Sequence, residues 1–278
     1  MDESLQQMGE SLQIDEYMTN YDTFQIKIVY HFDLTDGGIG DCITFFMYLL
    51  DLCIKKKYKL YYQKNNIPIE KYLKLNYTQM YIEKCKIHYV CFISNIQEIS
   101  NLENTAYYYI IKPHAFYKID NICSNINNIK EVFSFSEEVK LNKNNILSEN
   151  ISNYISIHLR LGDKFLETDR STILCLDDER KYDENKIFEN IQENNSQNIL
   201  FFCDNRAYKL KIKQKFPNVI ITNSLIAHTS YENTTDKEAL DTITDFYIMT
   251  ESNIIIAASI SGFSRIASKF NNISIIYL

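Results

Sequence analysis

Two apolar rhythms alternate along this chain, and their alternation predicts its architecture. Phe24 to Phe32 (Phe-Gln-Ile-Lys-Ile-Val-Tyr-His-Phe) reads as a strand. After a polar turn, the run from Cys42 to Ile54 repeats its apolar residues at helical spacing. Short apolar runs follow at Lys59 to Tyr62, Ile87 to Ile93 and Tyr107 to Lys112, and Pro68 opens a helix expected around Glu70 to Leu75. Tyr107, Tyr108 and Tyr109 are read as a sheet packing against a helix in preference to an aromatic binding platform. Beyond a polar passage from Asn121 to Asn153 the rhythm is clearer. Strands are predicted at Tyr154 to Leu159, Asn198 to Asp204, Val219 to Thr222, Ile254 to Ala258 and Ser274 to Tyr277. They alternate with helices at Glu184 to Glu193, Arg206 to Phe216, Asp236 to Ser252 and Gly262 to Phe270. Such a β/α alternation requires parallel sheets with helices on both faces. The expected class is therefore α/β, in two Rossmann-like units facing across a cleft. A weakly periodic leader over 1–23, read as mobile or loosely docked, precedes an N-terminal α/β unit over 24–135 and a C-terminal unit over 136–278.

Composition narrows the function classes. A formal charge of -7 argues against a broad nucleic-acid surface, while leaving room for a local basic pocket. The seven cysteines have no Cys-x-x-Cys pair and suit reduced thiols, so a cytoplasmic location without disulfides is expected. No stretch approaches the length of a membrane span.

Candidate chemistry collects at the predicted carboxyl ends of strands, where open α/β sheets bind ligands. His158 and Arg160 share one face at the end of the first C-terminal strand, and Gly162 then lets the chain turn tightly. A planar guanidinium in that place suits a phosphate or pyrophosphate; a structural pair of Arg160 with Asp163 is the competing reading. Asp204 ends the next strand and could accept from a base or a ribose, or cap the following helix. Ser259, Ser261, Gly262, Phe263 and Ser264 bring hydroxyls and backbone amides to a helix start, which serves either as an anion cradle or as ordinary capping. For proton transfer, Glu167 or Asp169 could act as base and Lys164 could stabilise a leaving group, unless these are solvated loop charges. In the N-terminal unit, Gly37, Gly38 and Gly40 are half of the chain's six glycines and sit in one loop before a helix. That loop either lets an anion or a sugar hydroxyl approach the backbone, or simply makes a tight turn. It is not the dinucleotide fingerprint, because the position three after Gly40 is Ile43. No metal-ligand spacing, Walker loop or nucleophile elbow is present, so the default mechanism is metal-free.

Three of these stretches together resemble the fucosyltransferase superfamily of the GT-B fold, which holds α1,2-, α1,6- and protein O-fucosyltransferases. Gly37-Gly-Ile-Gly-Asp41 is similar to its Gly-Gly-Leu-Gly-Asn loop, and His158-Leu-Arg160-Leu-Gly162-Asp163 to its His-x-Arg-Arg-Gly-Asp signature. Asp245 to Met249, followed by Ser261-Gly-Phe263-Ser264, is similar to its Asp-x-x-x-Met helix and Ser-x-Phe-Ser loop. The resemblance implies an inverting, metal-independent transfer, with a nucleotide-sugar donor, GDP-fucose by expectation, and a glycan or other hydroxyl acceptor as partners. It implies no cofactor; that there is no nucleic-acid partner and no membrane span is expected from the charge and from the lack of long apolar runs. By position Arg160 would hold the β-phosphate, His158 and Asp204 would lie near the nucleoside, Ser261 to Ser264 would close on the pyrophosphate, and the Gly37 to Gly40 loop would face the cleft. Leu161 stands where the signature has its second arginine, and Arg265 where a tryptophan often follows Phe-Ser. A transferase using another nucleotide sugar, or a nucleotide-sugar-binding relative without turnover, is the alternative.

Overall fold

A computed structural model describes residues 13–103, 107–116, 126, 128–147, 151–166, 177–228 and 234–278. Two five-stranded parallel sheets organise them. The N-terminal sheet contains β1 (Lys27–Tyr30), β2 (Lys59–Lys64), β4 (Tyr81–Glu83), β5 (Val90–Ile93) and β6 (Tyr108–Ile111), in the order β4-β2-β1-β6-β5. The C-terminal sheet contains β8 (Tyr154–Leu159), β9 (Asn198–Cys203), β10 (Ile220–Ile221), β11 (Ile254–Ala257) and β12 (Ser274–Tyr277), in the order β10-β9-β8-β11-β12. In each sheet the first strand is central and the chain changes direction beside it, between β1 and β6 and between β8 and β11. A crevice opens at such a switch point.

Helices cover these sheets: a segment over 13–20 (α1), α2 (Ile39–Lys56), α5 (Glu137–Ile146), α6 (Glu184–Glu193), α7 (Arg206–Lys215), α8 (Asp236–Met249) and α9 (Gly262–Phe270), with single turns α3 (Ile69–Tyr72) and α4 (Ile129–Val132). Among the described residues no helix is long and apolar enough to cross a membrane.

The strand and helix expectations in the C-terminal unit hold closely. Strand β8 matches its predicted span, although Ser156 and His158 are buried along with its apolar residues, because helices cover both faces of the sheet. Two expectations do not hold. The helix expected over Glu70 to Leu75 is one turn, α3, after which Leu73–Leu75 become β3, paired antiparallel with β7 (Phe133–Phe135). Burial of Leu73, Leu75, Phe133 and Phe135 in that pairing overrides local helical preference. The described part of the leader is also not loosely docked: Ile14, Tyr17 and Tyr21 form a buried helical stripe, and the hydroxyl of Tyr17 donates to Tyr58 O at 2.7 Å.

One apolar cluster joins α2 to β7, α8 and α9. Phe135 sits at its centre, its ring 5.0 Å from Phe270 and 4.7 Å from Tyr247, while Phe46 of α2 meets Phe133 at 5.3 Å. A second cluster, behind β8 and under α6 and α7, fills the far face of the C-terminal sheet.

Candidate functional site

A cleft of about 330 Å³ opens at the carboxyl ends of β8 and β9, walled by residues of both sheets' units. Its floor is the turn that follows β8. Asp204, 4% exposed at the end of β9, accepts hydrogen bonds from Leu161 N (2.8 Å), Gly162 N (3.0 Å) and the Arg160 guanidinium (2.8 Å). This carboxylate therefore shapes the turn and fixes Arg160. It does not cap α7; Asn205 does, accepting from Tyr208 N at 2.9 Å. The other terminal nitrogen of Arg160 bonds Asp163 and lies 3.9 Å from Asp178. Ser259 Oγ accepts from Arg160 N and donates to Arg160 O, both at 2.9 Å, so it staples the ends of β8 and β11 together.

The turn is sealed by a returning segment. Arg180 N donates to Leu161 O at 2.8 Å and Asp163 N donates to Asp178 Oδ2 at 3.0 Å. Gly162 has φ +115°, and a Cβ there would stand 2.1 Å from Asp178 O, so only glycine fits. Lys164 points away from this cleft and pairs with Glu179 at 2.8 Å on an exposed surface. Glu167 and Asp169 lie outside the described residues.

The upper wall comes from α9. Ser261 caps it, accepting from Phe263 N at 3.2 Å, while Ser264 is fully buried, its hydroxyl toward Ser261 O. Phe263 stacks on His158 with ring centroids 5.3 Å apart. His158 Nδ1 is buried and has no hydrogen-bond partner among the described residues, and burial with the nearby Arg160 charge lowers its pKa to about 3, so the ring is neutral. Behind it, Asp245 accepts from Thr222 at 3.0 Å and Ser224 at 2.9 Å. Burial raises its pKa to about 6 against the opposing charge of Lys209.

From the other unit the glycine loop enters the cleft. Its freedom seats a carboxylate: a Cβ on Gly37 would come within 2.7 Å of Asp41 Oδ2, which accepts from Gly38 N at 3.1 Å. Gly40 meets α9 backbone to backbone, since a Cβ on it would lie 2.8 Å from Gly262 C. Burial raises the Asp41 pKa; the Gly38 amide, Arg265 and Arg180 oppose it. Asp41 Oδ1 makes no hydrogen bond among the described residues.

The structure thus brings together Gly38, Gly40, His158, Arg160, Asp163, Asp204, Ser261, Gly262 and Phe263 around one cleft. Sequence reasoning missed Asp41, Asp178, Arg180 and His228, which also line it. His228 follows β10 and faces Gly38; burial, against the pull of Asp163, takes its pKa to about 4. Asp41 was legible as the last residue of the glycine loop, whereas nothing local marks the other three. No group of three or more metal-ligating side chains occurs among the described residues.

No family model and no curated protein matches the sequence. Solved structures match its fold. A NodZ α-1,6-fucosyltransferase soaked with GDP-fucose superposes with a TM-score of 0.56 at 11% identity, over 88% of this chain and 92% of that one. POFUT1 in complex with GDP gives 0.57 at 10% identity, over 91% and 98%. The chain has the GT-B fold. A variant of Arabidopsis thaliana FUT1 in complex with GDP also matches, with a TM-score of 0.57 at 9% identity, over 96% of this chain and 74% of that one. In GT-B terms, the β8 rim and α9 form one wall of the inter-unit cleft and the glycine loop with Asp41 forms the other.

Proposed function

We propose that the protein transfers a sugar from a nucleotide-sugar donor to a hydroxyl acceptor, with inversion and without a metal, and that the donor is GDP-fucose. One juxtaposition carries the reading: a fixed guanidinium and a helix amino end on one wall, facing a carboxylate with an unbonded oxygen on the other. Arg160 and the amides at the start of α9 would hold the donor diphosphate. Asp41 Oδ1 would take the acceptor hydroxyl proton as that oxygen bonds to the anomeric carbon. The bond from that carbon to the β-phosphate oxygen would break with its electron pair leaving on the diphosphate. Attack and departure on opposite faces invert the centre. Charge on the departing diphosphate would be stabilised by groups already in place, the economical route to lowering such a barrier. The fucosyl assignment draws on the motifs of the glycine loop and of 158–163, and on the GDP and GDP-fucose bound to the solved structures above.

Asp41→Asn should lower transfer by a factor of about 100 or more, the usual contribution of a general base, while GDP affinity stays unchanged. Arg160→Ala should weaken GDP binding itself. Equal transfer rates for Asp41→Asn and the unaltered chain would remove Asp41 from the reaction. Thermal stabilisation by UDP in preference to GDP would replace the donor while leaving the cleft assignment intact.

A further inference from the structure

Leu161, next to Arg160, is 6% exposed within the apolar cluster behind the C-terminal sheet, so its side chain takes no part in the cleft. Arg160 alone is a weak diphosphate site. Asp204 and Asp163 already occupy its two terminal nitrogens and Asp178 stands 3.9 Å away, so one positive charge is shared by three carboxylates. A diphosphate adds at least two negative charges, and without another cation its approach would be opposed.

Another cation stands beside Leu161. The backbone amide of Arg180 donates to Leu161 O, which places this arginine on the neighbouring extended segment, level with Leu161. Its Nε is anchored on Asp178 Oδ1 at 2.7 Å, its side chain is 44% exposed, and it lines the cleft. Its terminal nitrogens make no bond among the described residues. The field of Arg180 reaches Asp41 across the cleft, where with the Gly38 amide and Arg265 it counters the effect of burial. Gly162 makes the arrangement possible, because any side chain there would push the 177–180 segment off the turn.

We propose that Arg180 is the second diphosphate-binding cation of the cleft, supplied by a segment separate from the strand end that carries Arg160. The inference rests on the reading of the cleft as a nucleotide-sugar site. A guanidinium anchored through Nε keeps its two terminal nitrogens directed together, the geometry that grips a phosphate in two parallel bonds. In the transfer it would stabilise the diphosphate as the sugar leaves.

The test is calorimetric titration of the unaltered chain, Arg180→Ala and Arg180→Lys with GDP, GMP and inorganic pyrophosphate. Arg180→Ala should lose GDP and pyrophosphate affinity by about tenfold or more while GMP affinity stays within about twofold, so that the preference for GDP over GMP collapses. Arg180→Lys should recover part of that preference through its charge. An Arg180→Ala protein that keeps the full preference for GDP over GMP overturns the inference and leaves the donor-site reading standing. An unaltered chain that binds neither GDP nor pyrophosphate overturns both.

Discussion

At the scale of single residues, the cleft is held by groups whose protonation is fixed by burial. His158 has its pKa lowered from 6.5 to about 3, mainly by burial. Between those values the unfolded chain takes up a proton that the folded chain refuses, so stability falls as pH drops below about 6.5, by about 1.4 kcal/mol per pH unit. Asp245, raised from 3.8 to about 6, acts in the opposite sense: between those values the folded form is the better proton acceptor, and acidification favours folding. His228, lowered to about 4, adds a second descending slope, so the unaltered chain should lose stability on acidification from pH 6 to 4, whereas a His158→Gln protein should show urea midpoints that fall less steeply there or stay level. Sequence alone identified His158 as a cleft residue, since strand period and position suffice for that. It left Asp204 open between ligand binding and helix capping, and the structure gives it a different task. A carboxylate at a strand end can face the ligand, the helix or the neighbouring turn, and only the register of β9 on β8 (Leu159 beside Cys203) decides in favour of the turn.

Among the elements, the contact that sets the cleft is α2 against α9 at Gly40 and Gly262. Gly40→Ala would drive a methyl group to 2.8 Å from a backbone carbon with no flexible side chain to yield, so the helices must separate. The expected cost is about 1–3 kcal/mol, accompanied by weaker GDP binding, measured by urea unfolding and titration. If instead both quantities match the unaltered chain, this approach does not set the aperture. Most elements were legible because a parallel sheet buried on both faces leaves apolar runs bounded by turn residues. The pairing of β3 with β7 was not, because it joins three-residue segments about 60 positions apart, and neither has a period long enough to read. The 177–180 segment was missed for the same reason: its importance comes from lying beside Leu161, which no local pattern records.

For the whole molecule, the notable fact is the apolar cluster that runs between the two sheets' helices without a break. Phe135, with ring contacts to Phe246, Tyr247 and Phe270, couples the first unit to α8 and α9. Phe135→Ala should cost about 3–5 kcal/mol and lower one common calorimetric transition, keeping calorimetric and van't Hoff enthalpies equal. Two separated transitions in the unaltered chain would mean that the cluster does not couple the units.

The meeting of α2 and α9 has one more consequence. Both helices arrive with their amino ends, and each such end carries roughly half a positive elementary charge from its aligned peptide dipoles. The seam therefore holds about one positive charge that belongs to no side chain. Unlike Asp41 or the histidines around it, this charge cannot be titrated away. This part of the cleft's pull on anions should persist at every pH at which the chain stays folded, whatever the carboxylates around it do, and added salt, rather than acid or base, is what would weaken it.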